Sequence, residues 1–184
     1  MPATKRLFIA VPVTTELKEV FRQHQPAFTQ PAVRFLPDDN LHLTVHFLGE
    51  VPADQVTAIE QGLHQVAATQ TAFNLTLECL EPGPKPKSPR LIWARFRPEP
   101  VFTQLCAAVF EQLGIRPPDH ADYIPHVTLA RFRKDAPRPQ LLPIIYPTES
   151  PLTLPVTTVA LWQSELKSPH PVYHVLAGFP LGST

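Results

Sequence analysis

Two short runs of this 184-residue chain recur 84 positions later, and that echo constrains the fold more than any other feature. Arg6-Leu7-Phe8-Ile9-Ala10 returns as Arg90-Leu91-Ile92-Trp93-Ala94, and His42-Leu43-Thr44-Val45 returns as His126-Val127-Thr128-Leu129. Self-similarity at a fixed spacing marks a repeated supersecondary unit. Two halves of like plan predict two lobes related by a pseudo-two-fold axis. A third echo, Lys87-Ser88-Pro89 with Lys167-Ser168-Pro169, is shifted by 80, and an apolar run follows each copy. It suggests that the halves interlock, so residues 1–184 read as a single bilobal domain.

Proline limits the elements available. The chain has 24 prolines, about 13% against a usual share of about 5%. Proline is tolerated only in a helix's first turn or at a sheet's edge, so helices should be few and loops stiff. Strands are predicted at Arg6–Val11, Leu41–Leu48, Phe73–Leu80, Leu91–Phe96, Pro125–Arg131, Leu152–Gln163 and Tyr173–Phe179, with Pro155 splitting or bulging the sixth. Helices are predicted at Thr14–His24, Ala53–Ala68 and Pro100–Leu113, the second punctuated at its start by Gly49 and Pro52. Glu81–Arg90 reads as a rigid basic loop, and 132–151 carries no assignment. Few strands are long unbroken apolar runs, which favours an antiparallel α+β fold over a doubly wound sheet.

Several classes are excluded. No apolar run approaches the roughly 20 residues of a membrane span, and Leu7–Val11 is too short for a signal-peptide core. A soluble, cytoplasmic monomer is the expectation. Cys79 and Cys106 have no metal or redox spacing and sit in apolar segments, as small hydrophobes do. No His, Cys and carboxylate cluster has metal-ligand spacing, so neither metal nor cofactor is expected. Lysines plus arginines number 16 and so do aspartates plus glutamates, which argues against a long non-specific nucleic-acid track. The balance is uneven, however: residues 85–138 hold 10 basic and 5 acidic side chains. Such a segment suits a short anion, one phosphate or an RNA end. Lys85, Lys87, Arg90, Arg131, Arg133 and Lys134 are its candidates.

Alternation from Leu41 to Leu48 is nearly strict. Side chains on a strand point to opposite faces at successive residues. Leu41, Leu43, Val45 and Phe47 are thus expected in the core, with His42, Thr44 and His46 on the other face. Likewise Val127 and Leu129 point inward, while His126 and Thr128 share the outer face. Under the pseudo-symmetry, two His/Thr pairs confront each other across the axis, where a phosphate fits.

These motifs, with Arg6–Ala10, Leu41–Gly49, Pro125–Arg131 and the late Tyr173, resemble the two-histidine phosphoesterase superfamily, in its branch of RNA 2′,3′-cyclic phosphodiesterases and 2′-5′ RNA ligases. The resemblance spans essentially the whole chain. It implies a bilobal α+β fold, with antiparallel sheets lining a central cleft, helices outside and one motif from each lobe, and metal-free hydrolysis of a terminal 2′,3′-cyclic phosphate on RNA or a nucleotide, leaving a 2′-phosphate, with reversible 2′-5′ ligation in some members. It also implies His42 as proton donor, His126 as acceptor and Arg131 as a phosphate contact. The rival reading is a non-catalytic module that binds nucleotides or RNA ends in the same cleft.

The residue chemistry agrees. Histidine titrates near neutrality and can act as acid or base, and the Thr44 and Thr128 hydroxyls can donate to non-bridging phosphate oxygens. Strand parity puts Arg131 on the wrong face unless a bulge turns it back. His46 is expected on the cleft wall, His24, His64 and His120 at the surface, and His170 and His174 on a loop and strand beside Tyr173. Phe8 and Trp93 are expected to pack in the core. Tyr173 is open between packing and stacking a base.

Overall fold

A computed structural model of the protein describes residues 3–85, 87–117, 123–137, 139, 141–147 and 151–182. The strands are β1 (Thr4–Pro12), β2 (Val33–Phe35), β3 (His42–Pro52), β4 (Phe73–Gly83), β5 (Leu91–Phe96), β6 (His126–Phe132), β7 (Thr153–Val156), β8 (Thr158–Glu165) and β9 (Val172–Pro180). Three helices interrupt them: α1 (Thr15–His24), α2 (Val56–Thr69) and α3 (Pro100–Gln112). The protein is α+β, and the strand pairings of its main sheet are all antiparallel.

Strand order is β7-β4-β5-β6-β3-β1-β8-β9, with β2 also paired to β6. That order is a palindrome: β3 answers β6, β1 answers β5, β8 answers β4 and β9 answers β7. The halves meet where Leu43 stands opposite Val127, two residues that are themselves 84 apart. The pseudo-two-fold axis therefore passes through the centre of the sheet. The separate sheets expected from the sequence are joined into one.

Burial fixes which way each strand faces. Leu7, Ile9, Val11, Leu43, Ile92, Ala94, Val127 and Leu129 form one core with Leu17 and Phe21 of α1, Leu63 and Val66 of α2, and Phe102, Leu105 and Val109 of α3. Each such large side chain contributes about 1.5–3 kcal/mol on burial, and a one-residue slip would turn a whole strand inside out. The helices cover this face. The opposite face carries a smaller cluster of Phe8, Ala10, Ala160 and Trp162, with Tyr173 packed against it. It holds both motifs.

Several expectations change. The strand echo at 84 is one residue out of register: Ala10 faces Thr44 while Trp93 faces Thr128, so Ala10 answers Trp93 at a spacing of 83. The echo at 80 joins strands that are not equivalents, since β5 lies inside the sheet and β9 at its edge. Pro155 lies within β7, paired to Asn74, as an edge strand permits; the break falls at Thr157 instead. Gly49 does not end β3. It has φ 73° beside a register shift, and the strand runs on to Pro52. β4 likewise runs to Gly83, which shortens the Glu81–Arg90 loop to a turn; Pro86 in that turn lies outside the described residues, as does His120. Within 132–151, Ile145 bridges Leu80. Cys79 and Cys106 are free and buried. Among the described residues, no helix is long and apolar enough to cross a membrane.

Candidate active site

Two equivalent bulges shape the site. In the β1–β3 ladder, Ala10 pairs with Thr44 and Ile9 with His46, so Val45 is extra. In the β5–β6 ladder, Trp93 pairs with Thr128 and Ile92 with Ala130, so Leu129 is extra. These extra residues are again 84 apart. A bulge shifts the alternation by one, so Leu129 and Ala130 are both buried and Arg131 is exposed on the histidine face. The parity objection to Arg131 is thereby removed. The same slip overturns the core assignment of Phe47, which is 59% exposed and sits at the position equivalent to Arg131. It also turns His46 off the face it was expected to share with His42 and Thr44: its ring stands edge-on to Phe110 of α3 at 4.9 Å, though it still borders the cleft.

The cleft has a volume of about 410 Å³, and His42, Thr44, His126, Thr128, Arg131 and Tyr173 all line it. Both histidines are clamped alike. His42 Nδ1 lies 2.7 Å from the Asn40 carbonyl oxygen and His126 Nδ1 lies 2.9 Å from that of Ile124. A carbonyl only accepts, so each Nδ1 carries a proton and each Nε2 is left for the cleft. Asn40 and Ile124 are related by the same shift of 84.

The ring supports differ. His42 packs on Phe8 at 4.7 Å and edge-on to Tyr173 at 5.3 Å, with Trp162 at 5.8 Å. His126 rests on Trp93 at 4.8 Å. Phe8 and Trp93 are buried as expected, 1% and 6% exposed, yet they serve as platforms under the histidines. The Trp93 indole N–H donates to Glu81 at 3.2 Å, and Glu81 also accepts from Arg95 at 2.6 Å. Gly83 makes room: a Cβ there would lie 2.5 Å from the indole.

Burial lowers both imidazoles below their ordinary value near 6.5. His42 falls to about 4, first through desolvation, then through the charges of Arg131 and His126, while its bond to Asn40 opposes the shift. His126 is lowered by desolvation against its bond to Ile124. Both rings line the one cleft. Both are neutral at pH 7 in the free protein.

Of the other candidates, Tyr173 is brought to the site, and burial raises its phenol. Lys87 lines a different hollow with Pro82, Pro89 and Phe132. Lys85 and Arg90 are exposed and do not line the cleft. His24 donates to the Val20 carbonyl, His64 is exposed, and His174 meets Glu165 at 3.4 Å. Phe47, Glu81 and Trp162 escaped the sequence reading. Phe47 was signalled by its spacing of 84 from Arg131; Glu81 and Trp162 had no such mark. Among the described residues, no three His, Cys, Asp or Glu side chains converge as metal ligands.

This arrangement has close parallels. The profile of the 2′-5′ RNA ligase superfamily matches residues 13–167. The chain belongs to that superfamily. An RNA 2′,3′-cyclic phosphodiesterase of Thermus thermophilus is 33% identical, over 96% of this chain and 90% of the relative. One of Archaeoglobus fulgidus is 31% identical, over 95% and 99%. A solved Thermus thermophilus structure superimposes with a TM-score of 0.79 at 32% identity, covering 96% of this chain and 97% of that one. Escherichia coli LigT, solved with 3′-AMP, gives 0.75 at 28% identity, covering 97% and 99%. The two-histidine phosphoesterase resemblance of the sequence is thus established, and the palindromic sheet is this superfamily member's way of presenting one His-x-Thr motif from each half.

Proposed function

We propose that the protein hydrolyses the terminal 2′,3′-cyclic phosphate of RNA ends and nucleotides to a 2′-phosphate, with His42 and His126 as its acid and base. The observation that carries this reading is the matched pair of histidines, each held through Nδ1 with Nε2 toward one cleft. A module that only binds has little use for two such groups.

His126, neutral at pH 7, takes a proton from water as its oxygen attacks phosphorus. The bond to the 3′-oxygen breaks, and His42 supplies that oxygen's proton. His42 must be charged for this step; burial chiefly opposes that charge and Arg131 adds to the opposition, and a bound phosphate anion counters both by its own negative charge. Thr44, Thr128 and Arg131 hold the non-bridging oxygens, where charge gathers in the transition state. Phe47 and Tyr173 offer aromatic faces for the terminal base. With the 5′-hydroxyl of a second RNA end in place of water as the nucleophile, the same steps join ends through a 2′-5′ linkage. One copy supplies both motifs, so the site needs no second copy; we place its action on RNA ends in the cytoplasm, with no metal or cofactor required.

The test is incubation of the purified protein, with chelator, with an oligoribonucleotide ending in a 2′,3′-cyclic phosphate. Conversion to the 2′-phosphate is expected. Binding without turnover would favour the non-catalytic module, and turnover only with a divalent ion would refute the metal-free mechanism.

A further inference from the structure

Beside the cleft lies a second hollow of about 290 Å³, with positive charge beyond the Arg131 that the hydrolytic step uses. Arg34, Arg131, Arg133 and Lys134 line it against one carboxylate, Asp135. Leu36, Arg131 and Tyr173 line both hollows, so the two are adjacent. The ladder itself places this charge: β2 pairs with β6 so that Arg34 stands directly opposite Arg131. Like charges facing each other across a strand pair destabilise a sheet. Asp135 is engaged by Arg133, accepting from Nε at 3.2 Å and from Nη2 at 3.0 Å. Arg34 donates to a neutral group, the Pro169 carbonyl, at 3.2 Å. Among the described residues, no carboxylate bridges Arg34 and Arg131. Asp135 acts on Arg34 only electrostatically, with no ion pair between them, so the two opposed guanidiniums keep donors for a bound anion, which they would hold by charge-assisted hydrogen bonds.

We propose that this hollow is a second phosphate subsite, and that it takes the phosphodiester on the 5′ side of the terminal nucleotide. The proposal rests on the cyclic-phosphate reading of the cleft. Successive phosphates on an RNA strand are separated by one nucleotide, and the two hollows are separated only by the side chains they share. Arg131 then lies between the two phosphates, and Arg34 and Lys134 serve the second alone. The missed strand β2 thus acquires a purpose: it carries Arg34 to the substrate.

The experiment compares kcat/KM for a nucleoside 2′,3′-cyclic phosphate, the same compound bearing a 5′-phosphate, and a dinucleotide ending in the cyclic phosphate. Wild type, Arg34→Gln and Lys134→Gln are each assayed. Wild type should favour the dinucleotide, and each variant should cut that preference, Arg34→Gln about tenfold. A neutral methylphosphonate in the dinucleotide linkage should cost wild type a similar factor and cost Arg34→Gln little more. Equal losses on all substrates, or an equal methylphosphonate penalty in wild type and variant, would overturn the subsite. A 5′-phosphate that gives the full gain of the dinucleotide would overturn its assignment to an RNA diester. If wild type turns over none of these compounds, the cyclic-phosphate reading itself falls; turnover without the coupling removes the subsite alone.

Discussion

Replacing His42 with glutamine should remove a pH dependence from the protein's stability. In the unfolded chain His42 takes up a proton near pH 6.5, whereas in the folded protein it resists protonation down to about 4. Acid therefore favours the unfolded chain: the contribution is intact above 6.5 and is lost as pH falls toward 4. With these two values, linkage gives a loss of about 2 kcal/mol at most between about pH 7.5 and pH 5. His126 works in the same direction, but it is present in both proteins and largely cancels in their difference. The assay is urea denaturation of wild type and His42→Gln at a series of pH values. The stability of the variant relative to wild type should improve by up to about 2 kcal/mol on acidification. Parallel curves would refute the reasoning, because they would mean that His42 titrates normally and is not desolvated by Phe8, Trp162 and Tyr173.

Three further outcomes follow from the site. His42→Ala and His126→Ala should each lower kcat by about 10²–10⁴, and the double variant should fall short of the product of the two because they act as a unit; steady-state kinetics after a check of folding decides this. Phe47→Ala should weaken binding of a nucleoside monophosphate by about 1–3 kcal/mol, the scale of base stacking on an aromatic ring, while inorganic phosphate binding changes little; calorimetry with both ligands separates the two effects. Glu81→Gln should alter the pH profile of kcat/KM through Trp93 and His126, whereas a purely structural role would leave the profile's shape unchanged.

Much of this was legible in the sequence because the decisive signals are local. His42, Thr44, His126 and Thr128 follow from strand alternation within four residues, and α2 and α3 follow from apolar stripes at helical spacing, while α1 is helped by a local cap. At the start of α1, for example, the Thr14 hydroxyl accepts from the Leu17 N–H. The bulges were not legible. Val45 and Leu129 look like ordinary inward residues, and only the pairing strands reveal that each is extra. That single cause put Phe47 in the core and left Arg131 on the wrong face. β2 was missed because three residues show no period, and its place is set by its pairing with β6. Glu81 depends on a cross-strand contact with Trp93, for which nothing in the local sequence gives a sign.

The division of labour between the two histidines is the centre of the account, and a changed leaving group tests it most directly. A cyclic substrate with sulfur in place of the 3′-oxygen expels a thiolate, which needs no general acid. Measured as the ratio of rates on sulfur and oxygen substrates, His42→Ala should recover most of its lost activity. His126→Ala should stay impaired, since water still needs a base. Rescue of His126→Ala instead would contradict the roles assigned here, and rescue of neither would contradict general-acid catalysis by this pair.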